Sequence, residues 1–160
     1  MIPADIVAFV HGPQIVLIGT RDGALKPTAA RAIGLIARPD TDAISIIVPE
    51  ATGARTFANL ADNERIALVI SEFPSHRTYQ FKGTCLDISP CSADQKAVRD
   101  LYLEKLGARM RDHLWIKPPA GYFERYIVEP ARAIRMRVET VFDQTPGPNA
   151  GSSLPFSPSS

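Results

Sequence analysis

The sequence predicts a mainly β domain, a small antiparallel barrel with helices at its side or ends. Three observations predict this fold. Short β-branched apolar runs recur along the chain, Gly, Pro and Asp residues separate them, and only a few stretches carry helical signals. The 160 residues, 45% hydrophobic and 22% charged, suit one globular domain with a substantial core. Because so small a barrel is too narrow for a large internal cavity, we expect a ligand to bind outside it, in a groove or at a subunit contact.

Six runs of residues are expected to form the strands. Residues 14–20 are continuously apolar at their centre, which predicts a strand buried on both faces. The Asp22-Gly23 pair predicts a turn, since it supplies a positive φ angle, and a second strand should then cover 27–37. The remaining strands are expected at 43–49, 65–72, 77–83 and 122–141.

Residues 77–83 alternate, and the alternation assigns a direction to each side chain. Tyr79 and Phe81 fall on one face and suit the barrel interior. Thr78, Gln80 and Lys82 fall on the other face, which is directed outward. We therefore expect the polar set to face solvent, a ligand or a partner, and Gly83 to mark a bend or bulge.

Two helices are expected, at 52–60 and from about residue 92, and one or two helical turns are expected at 5–10. The helix near residue 92 begins with a capping box, Ser92-Ala93-Asp94-Gln95, and Gly107 is expected to end it. Residues 144–160 shift to Gly, Pro, Ser and Asn, a composition that buries too little apolar area to offset the entropy of ordering. The domain should therefore comprise residues 1–143, followed by a disordered tail over 144–160.

Composition and charge exclude several functions. The net charge of +1 argues against a general nucleic-acid-binding surface, and no apolar run approaches the length of a membrane span. The three histidines are scattered without metal-ligand spacing, and the two cysteines are too few for a disulfide scaffold. We therefore expect a cytoplasmic protein with no metal site, no membrane contact and no nucleic-acid partner.

The junction between the strand at 43–49 and the helix after it is a candidate anion site. A helix start presents free backbone N–H groups and a partial positive charge. Thr52, Gly53, Arg55 and Thr56 lie at this start, so hydroxyl, amide and guanidinium donors are close together in the sequence. Such a set of donors is typical of a phosphate-binding site.

An ordered series of short motifs runs through residues 22 to 83. Its members are Asp22-Gly23, Pro27, Arg31, Val48-Pro49, Thr52, Arg55, Ala58-Asn59-Leu60, Asn63, Arg65-Ile66-Ala67-Leu68, Arg77 and Gly83. This series resembles the pyridoxamine 5′-phosphate oxidase-like, FMN-binding split-barrel family, and the resemblance covers roughly residues 5 to 140.

The resemblance implies a six-stranded antiparallel split β-barrel that forms a homodimer. Two FMN molecules would lie in grooves between the subunits, and the protein would act as an oxidoreductase on a small-molecule substrate. Carried over residue by residue, the family's phosphate contacts fall on Arg31, Thr52, Arg55 and Thr56, its contacts along the flavin ring on Val48 and Pro49, and its further polar contacts on Thr78 and Gln80.

Two departures from the family pattern limit what the resemblance implies. Arg55 stands where the family often has Lys, and an arginine retains the ability to bind phosphate. The oxidase proper has a C-terminal Trp, Arg and His motif that binds the pyridoxal substrate. Here Trp115 lies in a Pro-rich stretch, and no His accompanies the arginines of 131–139. Pyridoxamine phosphate oxidation is therefore not implied.

The sequence leaves other functions open. One is a non-catalytic split-barrel module that binds or senses a flavin or haem, and another is a structural protein that has lost its cofactor. The sequence singles out no catalytic residue, and no nicotinamide-binding fingerprint is present.

Overall fold

The computed structural model describes residues 2–114 and 128–156, which form a curled antiparallel sheet with three helices. The elements in chain order are α1 (Ala4–Val10), β1 (Ile15–Arg21), β2 (Pro27–Arg31), β3 (Gly34–Ala37), β4 (Ala43–Pro49), α2 (Glu50–Asn63), β5 (Arg65–Ser71), β6 (Thr78–Pro90), α3 (Ala93–Leu114), β7 (Ala131–Asp143) and β8 (Ser152–Ser153). No helix of the described residues is both long and apolar enough to cross a membrane.

The sheet is strongly curled, and its two edge strands, β2 and β3, follow each other in the chain. Its strand order is β2-β1-β5-β6-β7-β4-β3, with β8 paired to β7. Only Ala32 and Ile33 separate β2 from β3, and their amides donate to Val16 O (3.2 Å) and Ile47 O (2.9 Å), on opposite ends of the sheet. The single strand expected over 27–37 is therefore two strands with a bend between them. Counted as one, they make six long strands, as expected of a split barrel.

The core lies inside the curl of the sheet. Ile18, Leu68 and Phe81 face one another across β1, β5 and β6 and are fully buried. The prediction that the first strand is buried on both faces is wrong. Ile15 and Leu17 are 39% and 46% exposed, because an antiparallel strand directs alternate side chains to opposite faces and the outer face is uncovered here.

The long β6–β7 ladder contains the bulge that Gly83 predicts. The register shifts between Lys82 and Gly83, and a Cβ atom at Gly83 would lie 1.9 Å from the carbonyl oxygen of Arg137. No other residue fits at this position unless the backbone moves. The bulge bends the ladder and contributes to the curl of the sheet.

The helices begin close to where the sequence predicts, but two of them extend beyond the expected limits. In the capping box, Ser92 N donates to Gln95 Oε1 (2.9 Å) and Gln95 N donates to Ser92 Oγ (3.2 Å), as predicted. The prediction that Gly107 ends this helix is wrong, since α3 continues to Leu114. Leu106 and Gly107 are buried, and burial of this face outweighs the cost of about 1 kcal/mol for a glycine inside a helix.

Residues 144–156, which the composition predicts to be disordered, fold back along the end of β7. Gly151 N donates to Asp143 O (2.7 Å), Leu154 N donates to Val141 O (2.8 Å), and Leu154 and Phe156 pack against the core. These two apolar side chains supply the burial that the average composition of the segment does not suggest. Residues 157–160, together with Trp115 and the start of the strand expected at 122–141, lie outside the described residues.

Candidate functional site

The outer face of the sheet brings three of the expected binding residues into two neighbouring rows. Strand register places Arg31, Leu17, Val69 and Gln80 side by side in one row. The next row contains Ile15, Ser71 and Thr78. Polar groups expected to contact a ligand thus lie on either side of an apolar strip, which we call the β1 strip and define as Ile15, Leu17 and Val69.

Hydrogen bonds orient the polar residues at one edge of these rows. The Thr78 hydroxyl lies 2.9 Å from both Ser71 Oγ and His76 O. Gln80 Oε1 accepts from Gln144 Nε2 at 3.4 Å. Both residues are half-buried, so each retains some surface for a ligand or a partner. Sequence reasoning missed Gln144 because this residue lies in the segment that the composition predicts to be disordered.

Arg31 is exposed at the other edge of the rows, as expected for a lone charge on a strand. Its guanidinium lies beside the buried hydroxyl of Tyr102 on α3, which donates to Gln14 O at 2.6 Å. Burial raises the pKa of Tyr102 and the Arg31 charge opposes this rise. Tyr102 therefore remains a neutral donor, and the contact joins α3 to the edge of the site. Sequence reasoning placed Tyr102 on the core face of its helix but could not connect it with Arg31.

Helix α2 begins at Glu50, two residues before the start at Thr52 that the sequence predicts for the candidate phosphate site. The Glu50 amide donates to Pro130 O at 2.9 Å, and its carboxylate lies 4.0 Å from Arg132. The first turn thus carries a negative charge, and one of its amides is already bonded. Thr52 and Arg55 fall in the first two turns and are exposed. An anion bound here would therefore be held mainly by the side chains of Thr52 and Arg55, and less by the backbone amides of the helix start.

The remaining expected residues of this junction are buried. Thr56 is 0% exposed, and its hydroxyl has no hydrogen-bond partner among the described residues. Val48 is 0% exposed and Pro49 is buried, and both pair with the start of β7. Thr52 and Arg55 therefore form the accessible part of the junction, and Val48, Pro49 and Thr56 lie beneath it.

One subunit does not bring all the expected residues together. Gln80 pairs with Phe142 at one end of the β6–β7 ladder, whereas Pro90 and Val48 both pair with Arg132 at the other end. Nine residues of β6 lie between Gln80 and Pro90, which is roughly 30 Å of extended strand before the bulges shorten it. Thr78 and Gln80 therefore lie at the opposite end of the β6–β7 ladder from the β4–α2 junction.

The exposed donors near the β4–α2 junction form a candidate anion site. Arg55 makes no hydrogen bond or ion pair within the described residues, and Thr52 offers a hydroxyl one helical turn away. Arg31 supplies a second exposed guanidinium on β2, the strand against which α2 packs. Guanidinium and hydroxyl groups are donors that bind anions, and the Thr56 hydroxyl beneath them has no partner among the described residues.

The fold defines the class of protein. A six-stranded antiparallel barrel, closed only through the bend between β2 and β3 and flanked by α2 and α3, is a split β-barrel. The chain belongs to the pyridoxamine 5′-phosphate oxidase family, whose family model matches residues 2–145. This membership confirms the resemblance read from the motifs.

Solved structures with the same fold differ widely in sequence. HupZ of Group A Streptococcus matches with 22% identity and a TM-score of 0.55, over 94% of this chain and 100% of that chain. A protein described as an F420 reductase matches with 13% identity and a TM-score of 0.56, over 88% and 98%. General Stress Protein 26 of Bacillus anthracis matches with 10% identity and a TM-score of 0.50, over 86% and 88%.

These structural matches support the fold of the chain, and at such low sequence identity they leave its ligand open. Among the curated proteins, no sequence matches this chain.

Proposed function

We propose that this chain binds FMN at the contact between two copies of itself and acts as an oxidoreductase on a small molecule. The observation that carries the proposal is the exposure of Ile15 and Leu17 in the β1 strip, which lies in the same rows as Arg31, Gln80 and Thr78. Exposed large apolar side chains on a sheet favour burial against a partner surface. A second copy is the simplest partner, since a two-fold contact uses the same surface of both subunits.

A two-fold contact of this kind accounts for the separation of the expected binding residues. Each site would take Thr52 and Arg55 from one subunit and Thr78 and Gln80 from the other, with Arg31, which lies in the row of Gln80, at the contact between them. The guanidinium groups would hold the phosphate, and the hydroxyl and amide groups would hydrogen-bond to the cofactor. The buried residues Val48, Pro49 and Thr56 would support this surface from below. Bound FMN would supply the hydride or electron transfer, and the protein would orient it and control access.

The first experiment is a titration of the flavin-free protein with FMN, followed by flavin fluorescence. We expect saturation at one FMN per chain. Arg55→Ala should weaken FMN binding about tenfold to a hundredfold, since a hydrogen bond to a charged group contributes about 1.5–3 kcal/mol. Arg38→Ala, which removes another exposed arginine from the β3–β4 turn, is the matched control and should leave the affinity unchanged.

Two further ligands make the titration more specific. Riboflavin lacks the phosphate, so Arg55→Ala should leave its affinity unchanged. The deazaflavin F420 is a useful competitor, since one protein of the same fold is described as an F420 reductase. Absence of FMN uptake by a protein with a native circular dichroism spectrum, or preferential binding of F420, would overturn the assignment of FMN.

A non-catalytic binding module is the second candidate, and the arginines of β7 favour it. Arg135 Nε lies 2.5 Å from Asp87 Oδ2, and Arg132 lies 4.0 Å from Glu50. Arginines already paired in this way are poor candidates for binding a substrate's phosphate. Assays of flavin reduction by NADPH and NADH, with haem titrated in parallel, separate the two candidates. Turnover of an electron acceptor supports the oxidoreductase, and stable haem or flavin binding without turnover supports the module.

A further inference from the structure

A concave site lies between the end of α1, strand β3 and helix α3, apart from the candidate site described above. Its volume is about 290 Å³, equivalent to roughly ten water molecules, which places it at the small end of ligand sites. Most of its wall is apolar and is supplied by Val10, Leu35, Ile36, Val98 and Leu101. We call this site the α1–α3 cavity. None of the eight residues expected to contact FMN lines it.

The polar groups of the α1–α3 cavity are His11 and Lys105, apart from the hydroxyl of Tyr102, which already donates to Gln14 O. His11 Nε2 accepts a hydrogen bond from the Ala37 amide at 3.1 Å. An accepting Nε2 carries no proton, so the neutral ring carries its proton on Nδ1. Burial and the nearby Lys105 charge both lower the pKa of His11, which favours this neutral ring. His11 thus presents an N–H donor beside a cation.

Within residues 2–114 and 128–156, the donors of the α1–α3 cavity have no matching acceptors. Among the described residues, neither His11 Nδ1 nor the Lys105 ammonium makes a hydrogen bond or an ion pair, and no side-chain carboxylate lines the cavity. An occupant that complements these groups carries one anionic acceptor at this end and an apolar body over the remaining wall.

We propose that the α1–α3 cavity binds a small organic carboxylate, with its anionic group at Lys105 and His11 and its aliphatic or aromatic body against Ile36, Val98 and Leu101. A carboxylate accepts from both donors at once, and a chain of about six carbons fits the available volume. The site is independent of the proposed function, since a protein that never binds FMN would still have this cavity.

The test is an NMR titration of the full chain with hexanoate, followed through the amide signals of Gly12, Ile36 and Leu101. We expect saturable shifts at these residues, and much weaker shifts with 1-hexanol, which has the same body without the charge. Lys105→Gln should weaken hexanoate binding about fivefold to tenfold, as expected for loss of one charge-assisted hydrogen bond at a partly exposed site. Lys26→Gln, in the β1–β2 turn, is the control and should bind like the wild type.

Filling the cavity gives a second readout that does not depend on charge. Leu101 is 49% exposed at the rim, so Leu101→Trp should be accommodated by the fold while it blocks entry. Hexanoate shifts should then disappear, with the other amide signals unchanged. Equal affinity for hexanoate and 1-hexanol, unchanged binding by Lys105→Gln, or shifts that do not saturate would each overturn the proposal.

Discussion

Asn59 Nδ2 donates to the hydroxyl of Thr20 at 3.0 Å, and both side chains are buried where α2 packs on the sheet. This bond fixes the position of α2 relative to β1, and a second bond from Asn63 Nδ2 to Arg21 O (2.8 Å) supports it one turn further along. The helix that presents Thr52 and Arg55 is thereby held against β1, the strand that carries Ile15 and Leu17. Polar contacts inside the fold thus set the relative placement of the two halves of the candidate site.

Thr20→Val tests the contribution of this bond to stability. The substitution leaves the buried Asn59 amide without its partner, so we expect the free energy of unfolding to fall by about 1–3 kcal/mol. Urea unfolding followed by circular dichroism measures the change. Thr140→Val, on the exposed face of β7, is the matched control and should change stability by less than about 0.5 kcal/mol. Equal effects of the two substitutions would contradict a structural role for the Asn59–Thr20 bond.

Leu17→Asp tests the β1 strip as a contact between copies. Leu17 is already 46% exposed, so a charge there should leave the subunit folded but disfavour burial of this face against a second copy. We expect the mass in solution to shift from dimer to monomer and FMN affinity to fall with it, as measured by sedimentation and fluorescence titration.

The control for this variant uses another exposed leucine. Leu25 lies in the β1–β2 turn and is 68% exposed, and we expect Leu25→Asp to retain the dimer. A Leu17→Asp protein that remains dimeric and binds FMN normally would show that the subunits meet elsewhere.

His11 gives a prediction about pH. Burial and Lys105 hold the pKa of His11 below its ordinary value of 6.5, so the unfolded chain binds this proton more readily than the folded one. The stability associated with the neutral ring is present above pH 6.5 and is lost as the pH falls below it. Free energies of unfolding measured between about pH 5 and 7 should therefore decline less steeply for His11→Gln than for the wild type. His113→Gln, on α3, is the matched control, and identical slopes for His11→Gln and the wild type would contradict the prediction.

Much of the fold could be predicted from local sequence. The capping box at Ser92 and Gln95 is a short-range signal, and its two hydrogen bonds form as expected. The alternation around Phe81 also assigns this side chain correctly to the core. The limits of α3 could not be predicted in the same way, because the burial of Leu106 and Gly107 depends on strands distant in sequence. Similarly, the apolar run at 15–18 indicates a strand but not which side of it is covered.

The candidate site could be expected as a set of residues but not as an arrangement. The family resemblance points to Arg31, Arg55 and Gln80, yet only strand register shows that Arg31 and Gln80 share a row. Register depends on pairing between strands distant in sequence, which no local pattern encodes. Thr52 and Thr56 are four residues apart on the same helix, yet Thr52 is exposed and Thr56 is buried. This difference is likewise a consequence of helix packing.

The most direct test of a flavin shared between two copies is native mass spectrometry of the protein as isolated and after incubation with FMN. We predict a complex of two chains with two FMN molecules, together with complexes of lower mass for Leu17→Asp. A monomer that binds one FMN with full affinity, or a dimer that takes up no FMN, would contradict the account.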